Sequence, residues 1–141
     1  MTKIEEAFQN KKAFIGFLTA GDPSLECTEK FIIKMEEAGA ALIEIGIPFS
    51  DPIAEGPVIQ SANIRALSNP NGCTTDQVFE MVERVSKKVS VPLVFLTYLN
   101  PVFMQVSIDI LPRLKPWDSL DSGSIIQPYR LKYSHSIQDL C

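Results

Sequence analysis

Over the first hundred positions, apolar residues come in two alternating patterns. Residues 13–18 (AFIGFL), 41–47 (ALIEIGI) and 92–98 (PLVFLTY) are short, nearly continuous apolar runs, the pattern of a strand covered on both faces. Between them the apolar positions spread out. Leu25, Thr28, Phe31, Ile32, Met35 and Ala38 recur at helical spacing, with Glu26, Glu29, Lys30, Lys34 and Glu37 on the opposite side. Val78, Val82, Val85 and Val89 form a second such stripe, a shorter helix is predicted around residues 58–68, and residues 2–9 suggest a short amphipathic helix with Ile4, Ala7 and Phe8 on one side.

The punctuation agrees with that division. Gly21-Asp22-Pro23 marks a turn into the first long helix, with Asp22 as its N-cap and Pro23 at its first position, and Gly39 ends it. Asn69-Pro70-Asn71-Gly72 is a strong break, after which Thr74 and Gln77 have capping-box spacing. Strand, helix, strand, helix, strand reads as βαβαβ, a parallel α/β sheet with right-handed crossovers. A barrel and an open doubly wound sheet both fit. The first strand–helix turn, TAGDP at 19–23, lacks the glycine spacing of a dinucleotide fingerprint, which disfavours the open sheet. After Met104 the texture changes: residues 112–136 carry Pro112, Pro116, Pro128 and scattered Ser and Tyr, and neither period predicts a fourth strand or helix. Residues 1–104 are therefore expected to form the ordered part and 105–141 an irregular tail. A closed (β/α)₈ barrel takes about 250 residues, and three strands cannot close one.

Composition narrows the function. Hydrophobic content of 45% and charged content of 21% are those of a globular chain, and a net charge of -4 without any basic cluster offers no footprint for nucleic acid. No run is long and apolar enough for a signal peptide or a bilayer span, so the expected location is cytoplasmic. Cys27, Cys73 and Cys141 are odd in number and match no zinc or redox template, which favours reduced thiols. His135 is the only histidine, so the first 130 residues hold no Ser-His-Asp triad and no histidine-based metal site.

The candidate chemistry lies at 42–57, LIEIGIPFSDPIAEGP. Glu44 interrupts the apolar run in mid-strand, where a carboxylate is costly unless it is paired or does chemistry, because desolvation penalises the charged form. Pro48, Pro52 and Pro57 stiffen the following loop, Gly46 and Gly56 allow close approach or positive φ, and the loop carries Ser50, Asp51 and Glu55. Taken alone, Glu44 could be a satisfied structural acid, Glu55 a solvated loop acid and Asp51 a turn-former; Phe17 and Tyr98 could be ordinary core.

The stretch from about Ile4 to Phe103 resembles the tryptophan synthase alpha subunit family. The resemblance rests on AFIGFLTAGDP at 13–23, AGAALIEIGIPFSDPIAEGPVIQSAN at 38–63, RAL at 65–67 and PLVFLTYLNPVF at 92–103. It implies the N-terminal part of a (β/α)₈ TIM barrel, truncated after about three βα units. The implied activity is retro-aldol cleavage of indole-3-glycerol phosphate to indole and glyceraldehyde 3-phosphate. Glu44 matches the catalytic carboxylate that shuttles protons at the indole C3 and the glycerol hydroxyl; the indole leaves poorly until C3 is protonated, so a positioned acid suits the step. Glu55 matches the second carboxylate, which accepts the indole N–H, although aspartate is the commonest family residue there. Phe17 and Tyr98 match indole-pocket positions. Pro48, Asp51, Asn100 and Pro101 match loop positions facing a beta subunit or supporting the closing loops. The resemblance implies no cofactor in this subunit; the beta subunit would carry pyridoxal phosphate. The family's phosphate-binding loops lie in the last third of the barrel, so this chain by itself is expected to be impaired or inactive. The alternative is a non-catalytic fragment that at most interacts with the beta subunit. Two departures stand out: the turn SNPNGCTTD is longer than usual, and after NPVF the family pattern gives way to MQVSIDILPRLKPWDSLDSGSIIQ. A shift of reading frame near residues 105–111 would account for the second, and sequencing the gene tests it.

Overall fold

The computed structural model describes residues 3–9, 12–98 and 126–128. Among these the order is α1 (Lys3–Ala7), β1 (Ile15–Thr19), α2 (Leu25–Glu37), β2 (Leu42–Gly46), α3 (Pro57–Leu67), α4 (Thr75–Ser86), β3 (Leu93–Thr97) and β4 (Ile126–Pro128). The strands form one parallel sheet in the order β1-β2-β3-β4. Sequential parallel order with right-handed crossovers puts every connecting helix on one side of the sheet, whereas a doubly wound sheet reverses its order and carries helices on both. The core shows which applies. Ile43 and Ile45 of β2 and Leu93 and Phe95 of β3 point one way, onto Ile32 of α2, Ala66 of α3 and Val78, Met81, Val82 and Val85 of α4. The barrel-type arrangement is the one present.

The opposite face holds the alternate residues. Phe17, Glu44 and Val94 lie in register across β1, β2 and β3. Near the middle of the sheet Leu42 and Val94 stay buried, but at the β1 edge Ile15 is 41% exposed and Phe17 37%. The expectation of strands covered on both faces is thus met in β2 and β3, where both faces are largely buried, but not on this face of β1. In a closed barrel, strands from across the axis cover the inner face, and the described strands cannot do that for themselves.

Local chemistry sets the helix ends, with one correction. Ser24, not Asp22, caps α2: its hydroxyl accepts the Cys27 N–H at 3.2 Å. Pro23, joined to Asp22 by a cis peptide, stands outside the helix, and Asp22 instead binds Arg65 of α3 in a bidentate pair of 2.9 and 2.7 Å. The α2 stripe is also narrower than its apolar spacing suggests, with Thr28 and Ile32 fully buried but Phe31 47% exposed. The capping box of α4 is present, Thr74 Oγ1 taking the Gln77 N–H at 3.3 Å and Gln77 Oε1 the Thr74 N–H at 2.8 Å. Glu36 of α2 accepts from Ser90 N and Oγ at 2.7 Å and from Val91 N at 2.9 Å, which fixes the entry into β3.

No fourth strand is expected from the sequence, yet Ile126–Pro128 pairs parallel to β3, Phe95 opposite Ile126 and Thr97 opposite Pro128. Three residues are too few to show alternation, and a proline argues against a central strand. Pro128 is tolerated because β4 is the outer strand of the described sheet. The rest of the 105–141 tail lies outside the described residues. Among the described residues no helix is long and apolar enough to cross a membrane, and no group of three His, Cys, Asp or Glu side chains converges to hold a metal ion.

Candidate functional site

The C-terminal ends of β2 and β3 build the site. Beyond Gly46 the ladder continues for one bond, Ile47 N to Leu96 O at 3.0 Å, and then Pro48 turns the chain away. Pro48 is buried at this bend. The bend closes on Tyr98, the first residue after β3. The Tyr98 hydroxyl accepts the N–H groups of Ile53 at 3.1 Å and Ala54 at 3.0 Å, and donates to Glu55 Oε2. Phe49 packs on the Tyr98 ring with centroids 5.0 Å apart. Gln60 of α3 donates its side-chain N–H to the Glu55 carbonyl at 2.8 Å. A loop without regular structure thus hangs on one phenol and one amide. Burial first, then the hydrogen bond to the Glu55 carboxylate, push the Tyr98 hydroxyl above its ordinary range, against the opposing pull of the Ala54 and Ile53 amides.

Glu55 faces a small cavity of about 30 Å³ walled by Phe17, Gly46, Ile59, Asn63, Leu96 and Tyr98. That volume suits a water-sized group and is too small for a bicyclic ring. Gly46 lets the Phe17 ring pack close: a Cβ there would sit 2.8 Å from the ring, which would have to shift. Gly56, by contrast, is the N-cap of α3 with an extended φ of -76° and nothing near its Cα that a side chain would meet.

Glu44 sits on the same open face, half-buried, with no hydrogen bond or ion pair among the described residues. It is not part of the cavity wall. Phe17 links the two acids: it is Glu44's partner across β1 and β2, and its ring lies over Gly46 in the wall that Glu55 faces. Asp51 is exposed and accepts the Ser50 hydroxyl at 2.5 Å. Asn100 and Pro101 lie outside the described residues. The structure also adds residues that sequence reasoning passed over. Ile59 and Asn63 stand one helical turn apart on the face of α3 that meets the cavity, a spacing visible in the sequence. Ile53 and Val58, 88% and 79% exposed beside Asp51 and Glu55, had no such signal.

Parallel strands in sequential order, helices on one side, and a carboxylate held over an apolar cavity at the strands' C-terminal ends define part of a (β/α)₈-barrel site. A family model described as tryptophan synthase alpha chain matches residues 4–115. The chain belongs to that family. It is 48% identical over 103 residues to the tryptophan synthase alpha chain of Lacticaseibacillus casei, covering 73% of this chain and 38% of that one. A structure of the tryptophan synthase A-subunit from Pyrococcus furiosus superposes with a TM-score of 0.71 at 34% identity, over 84% of this chain and 46% of that one. A crystal structure of the tryptophan synthase complex from the same organism matches with a TM-score of 0.67 at 38% identity, over 79% and 43%. The chain therefore spans about 40% of the length of these relatives and carries the N-terminal part of their TIM barrel.

Proposed function

We propose that this chain carries the acid–base and indole-binding part of an indole-3-glycerol phosphate lyase of tryptophan biosynthesis. In this reading Glu44 moves protons at the indole C3 and the glycerol hydroxyl, while Glu55 accepts the indole N–H. Retro-aldol cleavage then releases indole and glyceraldehyde 3-phosphate. The observation that carries the reading is Glu55, held by Tyr98 above a cavity walled by Phe17, Ile59 and Leu96. A charged acceptor beside apolar walls suits a flat aromatic ring with one N–H, and acceptance of that hydrogen bond favours charge developing on the ring. The exposed loop around Asp51 and Ile53 supports a beta-subunit contact, since one match is a structure of the tryptophan synthase complex.

The substrate phosphate is bound, in this reading, by barrel units beyond those described. The test supplies the remaining units as a second polypeptide and follows indole release from indole-3-glycerol phosphate. Indole is expected only from the pair, and Glu44→Gln in this chain should abolish it. Full turnover by the Glu44→Gln pair would refute the role of Glu44.

A further inference from the structure

Tyr98 has one hydroxyl proton and two acceptor lone pairs, and the structure uses all three. Both lone pairs take backbone N–H groups, from Ile53 and Ala54, which fixes the direction of the O–H bond. The single proton is thereby aimed at Glu55 Oε2. Glu55 then has one committed oxygen and one, Oε1, with no hydrogen-bond partner among the described residues, in a side chain that lines the cavity. Its backbone is held as well, by Gln60 on the Glu55 carbonyl at 2.8 Å. Among the described residues the phenol proton makes no other hydrogen bond. The Phe49 ring, 5.0 Å from that of Tyr98, removes the ring's freedom to swing away.

We propose that Tyr98 is a positioning residue that acts through Glu55: it ties down one carboxylate oxygen so that the other is presented, unshared, to an N–H donor on a flat apolar ligand. This deepens the reading of the site as an indole pocket and rests on it for the ligand, but the latch itself does not. Proline stiffness in the bend is then only part of the design. The aim of the acid comes from a residue 43 positions further along the chain, which couples the β2–α3 loop to the end of β3.

Two measurements on the whole chain decide it. The first follows phenolate absorbance near alkaline pH, with Tyr98→Phe identifying the Tyr98 signal. In the unaltered chain Tyr98 should ionise later than an ordinary tyrosine, and in Glu55→Gln its midpoint should move down while circular dichroism is unchanged. An unmoved midpoint overturns the latch. The second compares indole with 1-methylindole, which keeps the ring but has no N–H. Indole should bind about tenfold or more tightly, the worth of a hydrogen bond to a charged acceptor, and Tyr98→Phe should bring the ratio close to one. A ratio unchanged in Tyr98→Phe overturns the positioning role. Failure of both compounds to bind overturns the indole reading and with it the ligand half of the proposal, and the phenolate measurement then judges the latch alone.

Discussion

Thr28 is a fully buried threonine in α2 whose hydroxyl does two things. It accepts the Gly21 N–H at 2.9 Å and donates to the Ser24 carbonyl at 2.9 Å. Thr28→Val keeps the shape and removes both bonds. The Ser24 carbonyl is not orphaned, because the Thr28 backbone N–H still reaches it at 3.0 Å. The Gly21 N–H is orphaned, in a buried turn. Leaving one buried donor unpaired costs about 1–3 kcal/mol. With a urea slope of about 1.5 kcal/mol/M, a loss of about 2 kcal/mol lowers the unfolding midpoint by roughly 1.3 M. Thr28→Ser keeps the hydroxyl and deletes only a methyl, at about 0.8 kcal/mol. Equilibrium urea unfolding by circular dichroism measures both, and amide exchange at Gly21 should accelerate in the valine variant alone. Should valine cost no more than serine, the buried N–H is finding another partner and the accounting fails.

Three further outcomes follow from the same geometry. The Arg65 hydrogen bonds beside Asp22 outweigh its burial and hold its carboxyl below the usual range. A carboxyl depressed in the folded state contributes stability above its unfolded value of about 3.9 and loses it as pH falls through the folded value. Stability from pH 5 down to pH 2.5 should therefore fall less steeply in Asp22→Asn than in the unaltered chain, as denaturant titrations at each pH would show. Glu36→Ala strips three hydrogen bonds from Ser90 and Val91 and should cost about 1–2 kcal/mol, at the low end because Ser90 can turn to water; no loss in urea unfolding would mean that the tie is idle. Burial pushes the Cys73 thiol up to about 11, so alkylation at pH 8 followed by mass spectrometry should spare Cys73 in the folded chain and modify it in denaturant.

What the sequence discloses and what it hides divide along physical lines. The α4 stripe and its capping box were legible because both are local: three valines at helical spacing (Val89, the fourth expected, lies beyond the helix end), and a Thr and a Gln three apart that satisfy each other's end of the helix. The three long strands and the bend at 48–57 were legible for the same reason. The capping of α2 was misread because Asp22 is a good N-cap by type, and nothing nearby in sequence announces Arg65 as a competing partner 43 positions away. β4 was missed because three residues carry no period. Tyr98 could be placed in the site by resemblance, but its hold on Ile53, Ala54 and Glu55 is a long-range contact with no sequence signature.

The two acids therefore depend on different parts of the molecule. Among the described residues, Glu55 is held by the bend that carries it, the phenol that binds it, and the α3 amide on its carbonyl. These contacts all lie within the first βα units. Glu44 is otherwise placed. Its backbone is fixed by β1 and β3 on either side, but its side chain lies on the face where Ile15 and Phe17 remain open. In the proposed reading, proton transfer by Glu44 needs that face covered, because a positioned acid works best shielded from bulk water. The covering surface in a (β/α)₈ barrel comes from strands across the axis. The hold on Glu55 is thus built in locally, while the proposed acid chemistry at Glu44 is left to whatever closes over the sheet, which is why, in this reading, the two acids are expected to fail separately.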